Sequence, residues 1–287
     1  MYKDIFGNER AKIALHIHTA RSDGHVGFDE AIEIYREAGF DAIAITDHWK
    51  TASYERREGI TVLSGCEYNV GSKGTDVYHI VSLMTESEPQ NLNTYSTPQE
   101  IIDEIHRCGG LAVLAHPAWS LNTPEDIMKL SGIDATEIYN SVSDVGMSYR
   151  PDSSLIVDML GARGVLYPLL ATDDAHYYGG LDNCRSYIMA RCDPTDEASV
   201  KAAIKSGDFY ATQGPEIHLS REGNVFRVDS SPVSMIAFAS DLVWAPGRVY
   251  RGEGLTHAEY TATSDGFVRA FVIDGQGRYA WSNAIRM

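Results

Sequence analysis

From residue 11 to about residue 212, short apolar runs alternate with amphipathic segments, and this restricts the fold more than any other property of the 287-residue chain. AKIALHIH (11–18), DAIAIT (41–46), ITVLSG (60–65), DVYHIVSL (76–83), LAVLAH (111–116), ATEIYN (135–140), VLYPLLAT (165–172) and RSYIMAR (185–191) read as strands. Between them, residues 28–39, 97–110, 123–132, 152–164 and 195–207 have helical spacing. Thr97, Pro98 and Glu100 form a capping-box signature at the start of one such segment. Repeated strand-then-helix order predicts an α/β fold with a parallel sheet, and this many units favours a barrel over an open doubly wound sheet. No glycine-rich phosphate loop follows the first strand.

After Gly214-Pro215 the texture changes. Short strand-like runs such as VFRVDS, VSMIAFAS, HAEYTAT and FVRAFVID are separated by polar or glycine-rich turns, with no helical pattern. We expect two domains: a barrel over 1–214, and a small all-β, sandwich-like domain over 215–287 that serves packing or dimerisation. At 44% hydrophobic residues the chain can bury a sizeable core. Cys66, Cys108, Cys184 and Cys192 show no CxxC or framework spacing, which argues against a disulfide scaffold. The N-terminus has no signal-like run, and no stretch approaches the roughly 18 apolar residues of a spanning helix. The expectation is a soluble, cytoplasmic protein. A net charge of −16 disfavours non-specific nucleic-acid binding.

The histidines and several acids collect where strands end. His16 and His18 close the first strand, and period-two geometry puts them on one face. Asp47 and His48 end the second; Glu67 follows the third; His79 lies in the next; His116 ends LAVLAH; Asp173, Asp174 and His176 follow VLYPLLAT. A single histidine at a strand end is usually just a buried polar residue. Six or more together are a different matter, because the C-terminal strand ends of a barrel converge on one mouth. Imidazole and carboxylate suit zinc, manganese or iron. His106, mid-helix, and His218 and His257, in the β-rich tail, are assigned no role. His25, in the loop after the first strand, is ambiguous.

His16-Ile17-His18-Thr19 with Ser22-Asp23-Gly24, Ile45-Thr46-Asp47-His48, Gly65-Cys66-Glu67, Ala115-His116-Pro117 and Asp174-Ala175-His176 occur in this order. The set resembles the PHP (polymerase and histidinol phosphatase) family over roughly residues 11–212, and SYRPDSSLIVDML followed by ATDDAH, with the closing AWSN, resembles a subgroup with an appended C-terminal β domain. The resemblance implies a distorted (β/α)7, TIM-like barrel binding two or three divalent metal ions. One metal would take His16, His18, Glu67 and Asp174. A second would share Glu67 and add His79 and His116. A third would take Asp23, His48 and His176, with His25 an alternative or addition to Asp23. Asp47 and Asp173 would orient imidazoles from behind.

Such a site implies a metal-dependent phosphoesterase acting on a small phosphomonoester or cyclic phosphodiester through a metal-bridging hydroxide, with Glu67, His16, His18 and Asp174 at the catalytic centre. Arg150 and Arg185 are the candidate phosphate clamps, with Lys50 and Lys73 behind them. A hydrolase of carboxylic or carbamic esters using the same metals is the first alternative, and a cavity without a basic clamp would favour it. A polymerase-associated nuclease and a non-catalytic binding protein fit less well. We expect no nucleic-acid polymer and no membrane as partner.

Overall fold

The computed structural model describes residues 1–146 and 148–287. Its architecture is mixed α/β with short helices. The expected strand-helix order is present, but not the continuous parallel barrel. Strands Glu9–Ala14, Ala42–Ala44 and Ile60–Leu63 pair in parallel. Leu111–Leu114, Ala135–Asn140 and Leu169–Thr172 form a second parallel ladder. Antiparallel pairing interrupts both. Gly65–Val70 and Tyr78–Leu83 form a hairpin on the edge of the second ladder. Tyr187–Ala190 runs antiparallel to Glu9–Ala14 and to Phe209–Thr212. The result is a five-stranded and a thirteen-stranded sheet, and among the described residues their hydrogen bonds do not close into one barrel. The two sheets still share one core, in which Ile13, Leu15, Ala44 and Leu63 pack with Val81, Val113, Ala135 and Leu170.

Local chemistry explains the helices. Pro98–Arg107 begins at Thr97, whose hydroxyl accepts from the Glu100 amide while the Glu100 carboxylate accepts from the Thr97 amide, completing the expected box. Glu197–Ser206 is capped by Asp196 and ends on Gly207 at φ 72°. No helix among the described residues is long and apolar enough to cross a membrane.

The C-terminal strands Ile217–Glu222, Val225–Ser240, Val249–Thr261 and Phe267–Ile273 pair antiparallel. They join the thirteen-stranded sheet through Tyr279–Trp281, which pairs with Phe209–Thr212. Two contacts weld this segment to the rest. Arg269, almost fully buried, donates to both carboxylate oxygens of Asp158 at 2.6 and 2.8 Å. The Trp281 ring lies between Tyr279 and Tyr139, at centroid distances of 5.3 and 5.4 Å.

Helix Ser154–Gly161 packs against the same segment through Gly161, where an added Cβ would come within 2.5 Å of the Phe267 ring. Gly161→Ala should therefore destabilise the chain by about 1–3 kcal/mol through overpacking. Thermal unfolding followed by circular dichroism should show a midpoint lowered by several degrees. Gly275→Ala, at a position with open space, should leave the midpoint unchanged.

Candidate metal centre

Two parallel bridges bring the strand ends together. Beyond Glu9–Ala14, Ile17 bridges to Ala175, the Asp174 amide donates to the His16 carbonyl at 2.8 Å, and the His18 amide donates to the Ala175 carbonyl at 3.0 Å. A second bridge joins His48 to Glu67. Leaving the strands costs backbone freedom: His116 and Asp174 sit at φ 27° and 51°, the left-handed region that non-glycine residues avoid. Gly24 has no such φ, but its Cα lies so close to the His18 backbone that a Cβ would meet the His18 carbonyl oxygen at 2.5 Å.

The first donor group is His16, His18, Glu67 and Asp174, all buried. His16 Nε2 lies 3.3 Å from Glu67 Oε2 and 3.2 Å from Asp174 Oδ1. His18 Nε2 lies 3.0 Å from Glu67 Oε2, 3.1 Å from Asp174 Oδ1 and 3.1 Å from His16 Nε2. Four donors held about 2.0–2.1 Å from one ion in a tetrahedron stand roughly 3.3 Å apart, so these spacings fit a bound divalent metal. Asp174 Oδ1 and His48 Nδ1 are also buried without a hydrogen bond, as donors awaiting an ion would be.

Glu67 divides its two oxygens. Oε2 faces His16, His18 and His48 (3.2 Å), while Oε1 faces His79 at 2.8 Å and His116 at 3.5 Å. His48, Glu67 and His79 form a second compact group; His116 lies alongside, 3.7 Å from Asp174 Oδ2. Asp23, His48 and His176 form the third, which His18 joins. Asp23 is 3.4 Å from His176 Nε2, 3.6 Å from His48 Nε2 and 3.5 Å from His18 Nδ1. The side chain of Asp23 is 54% exposed, so this group opens to solvent. His18 and His48 thus each present one ring nitrogen to one group and the other nitrogen to another, an overlap that the sequence reading did not anticipate.

The expected supports are replaced by others. Neither Asp47 nor Asp173 is hydrogen-bonded to an imidazole. Asp47 accepts from the Thr19 amide and hydroxyl and the Ser22 hydroxyl. Asp173 accepts from the Tyr35 hydroxyl and the amides of Cys184, Arg185 and Ser186. Both carboxylates organise loops. The group behind His16 is Glu137, whose Oε1 accepts from Nδ1 at 2.7 Å and so turns Nε2 toward the donor cluster. Glu137 Oε2 accepts from the His116 amide and from Asn140 Nδ2, which also donates to Asp174.

A bulge accounts for why Glu137 escaped notice. In Ala135–Asn140, Leu170 pairs with Glu137 but Ala171 pairs with Tyr139, so Ile138 is an extra residue. The bulge breaks period-two alternation: Glu137 and Asn140 face the site while Tyr139 turns out toward Trp281. The signal available was a carboxylate inside an otherwise uncharged strand. His25 stays outside the cluster, its ring edge-on to Tyr177 at 5.0 Å. His106 and His257 pair with Asp134 and Asp229, and His218 stands by Phe6.

A cavity of about 470 Å³ opens over the cluster, lined by Asp23, His48, Glu67, His79, His116, Asp174 and His176 together with Asn69, Trp119, Val142, Ser143, Val145, Ser148 and Tyr177. The expected clamps do not line it. Arg185 donates to the Leu181 carbonyl and borders a different cleft, Arg150 and Lys73 are exposed, and Lys50 donates to the Arg21 carbonyl. No Lys or Arg is among the described residues lining the metal-site cavity.

Residues 14–115 match the PHP domain. An uncharacterized protein of Methanocaldococcus jannaschii is 29% identical over 123 residues, covering 37% of this chain and 67% of that one. A two-domain protein of Bacteroides vulgatus ATCC 8482, described as containing a predicted PHP-like metal-dependent phosphoesterase, matches at 14% identity and TM-score 0.56, covering 100% of this chain and 97% of its own. Endonuclease Q, solved with a 27-mer duplex bearing an abasic lesion at its active site, matches at 17% identity and TM-score 0.51 over 69% of this chain; this chain spans 57% of it. At these identities the two structures establish a shared fold.

Charge in the cluster is tightly balanced. Burial alone would lower the His16 pKa, but Asp174, Glu67 and Glu137 overcome it and hold that imidazole well above its ordinary value. Burial works against His18 and His116 in the same way, and Glu67 and Asp174 raise both. At His176 burial is again outweighed, by Asp23 and Asp174, which lift it to about 9. His48 moves the other way, lowered chiefly by burial. Metal must therefore displace protons from the raised imidazoles. Lowering the pH from 8 to 6 should weaken apparent affinity by about tenfold per pH unit for each proton displaced, readable by competition with a chelator. Glu137→Gln keeps the shape but removes the charge behind His16, and should weaken metal binding by about 10–100-fold.

Proposed function

We propose that the chain is a metal-dependent hydrolase of small phosphate esters, phosphomonoester or cyclic phosphodiester, using two or three divalent ions of zinc, manganese or iron. Residues 1–214 would form the hydrolase domain, a distorted relative of the (β/α)7 barrel, and 215–287 a small β domain braced against it. The observation that carries this reading is the buried donor set around Glu67, with nitrogen and oxygen atoms 3.0–3.3 Å apart at His16, His18 and Asp174. The PHP match over 14–115 and the phosphoesterase description of the Bacteroides protein support a hydrolase.

His16, His18, Glu67 and Asp174 would hold one ion; His79 and His116, with His48 close by, would share Glu67 around a second; Asp23, His48 and His176 would hold a third. Bound ions supply Lewis acidity and lower the pKa of water from about 15.7 toward ~7. The chain's own part is to aim the donors: Glu137 orients His16, Ser120 lies 3.0 Å from His116 Nδ1, and the Asp174 carbonyl accepts from His176 Nδ1 at 2.7 Å. In the net reaction the oxygen of water bonds to phosphorus and the ester P–O bond breaks. Its electron pair leaves on the alcohol oxygen, which takes up a proton.

The cavity without a lining Lys or Arg favours a second reading, hydrolysis of carboxylic or carbamic esters at the same centre. A nucleic-acid polymer fits poorly, because neither that cavity nor a chain of net charge −16 offers a phosphate backbone much attraction. Elemental analysis combined with a panel of phosphate, carboxylic and carbamic esters separates these readings. Phosphate release that a chelator abolishes supports the first. Metal-dependent cleavage confined to carboxylic or carbamic esters supports the second. His16→Ala and Glu67→Ala should lose metal and fall to background turnover, whereas His257→Ala should keep both; full activity in either of the first two would overturn the site.

A further inference from the structure

Every carboxylate and imidazole lining the cavity belongs to the donor cluster. Among the described residues the rest of the wall is neutral, and Trp119, Val142 and Val145 are its apolar side chains. We propose that this cavity recognises esters whose group beyond the reacting centre is an uncharged aromatic, seated on Trp119. The proposal rests on reading the cluster as a metal centre.

Trp119 is placed for this role by its turn. It lies edge-on to His116 and His79, at centroid distances of 4.8 and 5.4 Å, so the indole stands beside the donors that face Glu67 Oε1. The turn is pinned at both ends. The Ser120 amide donates to the His116 carbonyl at 3.1 Å, the Asn122 amide to the Pro117 carbonyl at 3.0 Å, and Asn122 Nδ2 to the Val77 carbonyl at 2.8 Å. The backbone that carries the valines is hydrogen-bonded as well. The Val142 amide donates to the Asp173 carbonyl at 3.0 Å, and the Val145 amide to the Val142 carbonyl at 3.1 Å. The indole and two branched side chains make an apolar surface, which gains most from a flat apolar ligand.

Charge selects in the same direction. Ions at the donor cluster would neutralise the anionic reacting group, but a second carboxylate or phosphate further along the ligand would meet no cation on the described wall. It would lose hydration with no charge partner in return. The cavity, at about 470 Å³, has room for one aromatic ring beside the reacting group.

Phosphonates test recognition apart from turnover, because their P–C bond is not hydrolysed. The metal-loaded full chain is titrated calorimetrically with methylphosphonate, benzylphosphonate and 4-carboxybenzylphosphonate. Benzylphosphonate should bind about tenfold more tightly than methylphosphonate, and the carboxyl group should remove most of that gain. The benzyl-to-methyl ratio should fall toward one in Trp119→Ala and be largely retained in Trp119→Phe. Equal or tighter binding of the carboxylated ligand would overturn the proposal, as would a ratio indifferent to Trp119→Ala. Should that variant fail to fold, the order of the three ligands on the unaltered chain still decides. Phenyl phosphate turnover is followed on the same preparation: the expected binding order without turnover would overturn the phosphoesterase reading while supporting this specificity.

Discussion

One carboxylate, Glu67, organises the structure around the site. It is buried and has five imidazoles within 3.5 Å of its two oxygens. Burial alone would raise its pKa, because an isolated carboxylate taken out of water is expensive; the surrounding histidines reverse that and hold it well below its ordinary value. Burial opposes the charge on Asp174 too, and there His16 and His18 depress the pKa. The raised pKa values of His16, His18 and His116 favour protons that offset these charges, and bound ions would take over that balance. The same residues therefore serve folding and metal binding, which ties the stability of the strand ends to the state of the cluster.

Holding so many polar groups at 3 Å requires a backbone that does not relax. The bridges Ile17–Ala175 and His48–Glu67 extend parallel pairing past the last regular strand residues, into the place where the side chains meet. The left-handed φ values at His116 and Asp174 turn the chain sharply just there. The hairpin Gly65–Val70 with Tyr78–Leu83 brings Glu67 and His79 in from one sheet while His16 and His18 arrive from the other. The site lies where the sheets meet, so the absence of a closed hydrogen-bonded barrel does not loosen it.

Much of this was legible in sequence. Apolar runs marked most of the strands, the capping box marked Pro98–Arg107, and histidines and acids at strand ends marked the residues that cluster. What stayed hidden depended on pairing partners. Residues 66–70 carry no strand assignment in the sequence reading, and Tyr78–Leu83 supplies the antiparallel neighbour that makes Gly65–Val70 a strand. Glu137 was obscured by the bulge at Ile138, which no local pattern announces. Asp47 and Asp173 border the donors in sequence, but their side chains turn to hydroxyls and amides instead of imidazoles. Arg150 and Arg185 were chosen by residue type and loop position, and neither property says which cleft a long flexible side chain will border.

The C-terminal strands bear on the centre through that same bulge. Because Tyr139 is turned outward, its ring meets Trp281, which is almost fully buried and stacked on Tyr279. Two residues earlier, on the opposite side of the strand, Glu137 holds His16. A short, rigid piece of backbone thus joins an aromatic stack made by the C-terminal segment to the orientation of a buried imidazole. Pairing of Tyr279–Trp281 with Phe209–Thr212 and the buried Arg269–Asp158 contact keep that stack in register. The β segment contributes no donor to the cluster, yet it packs against the one strand whose irregularity aims Glu137 and Asn140 inward. Its packing therefore bears on the strand that aims those two side chains.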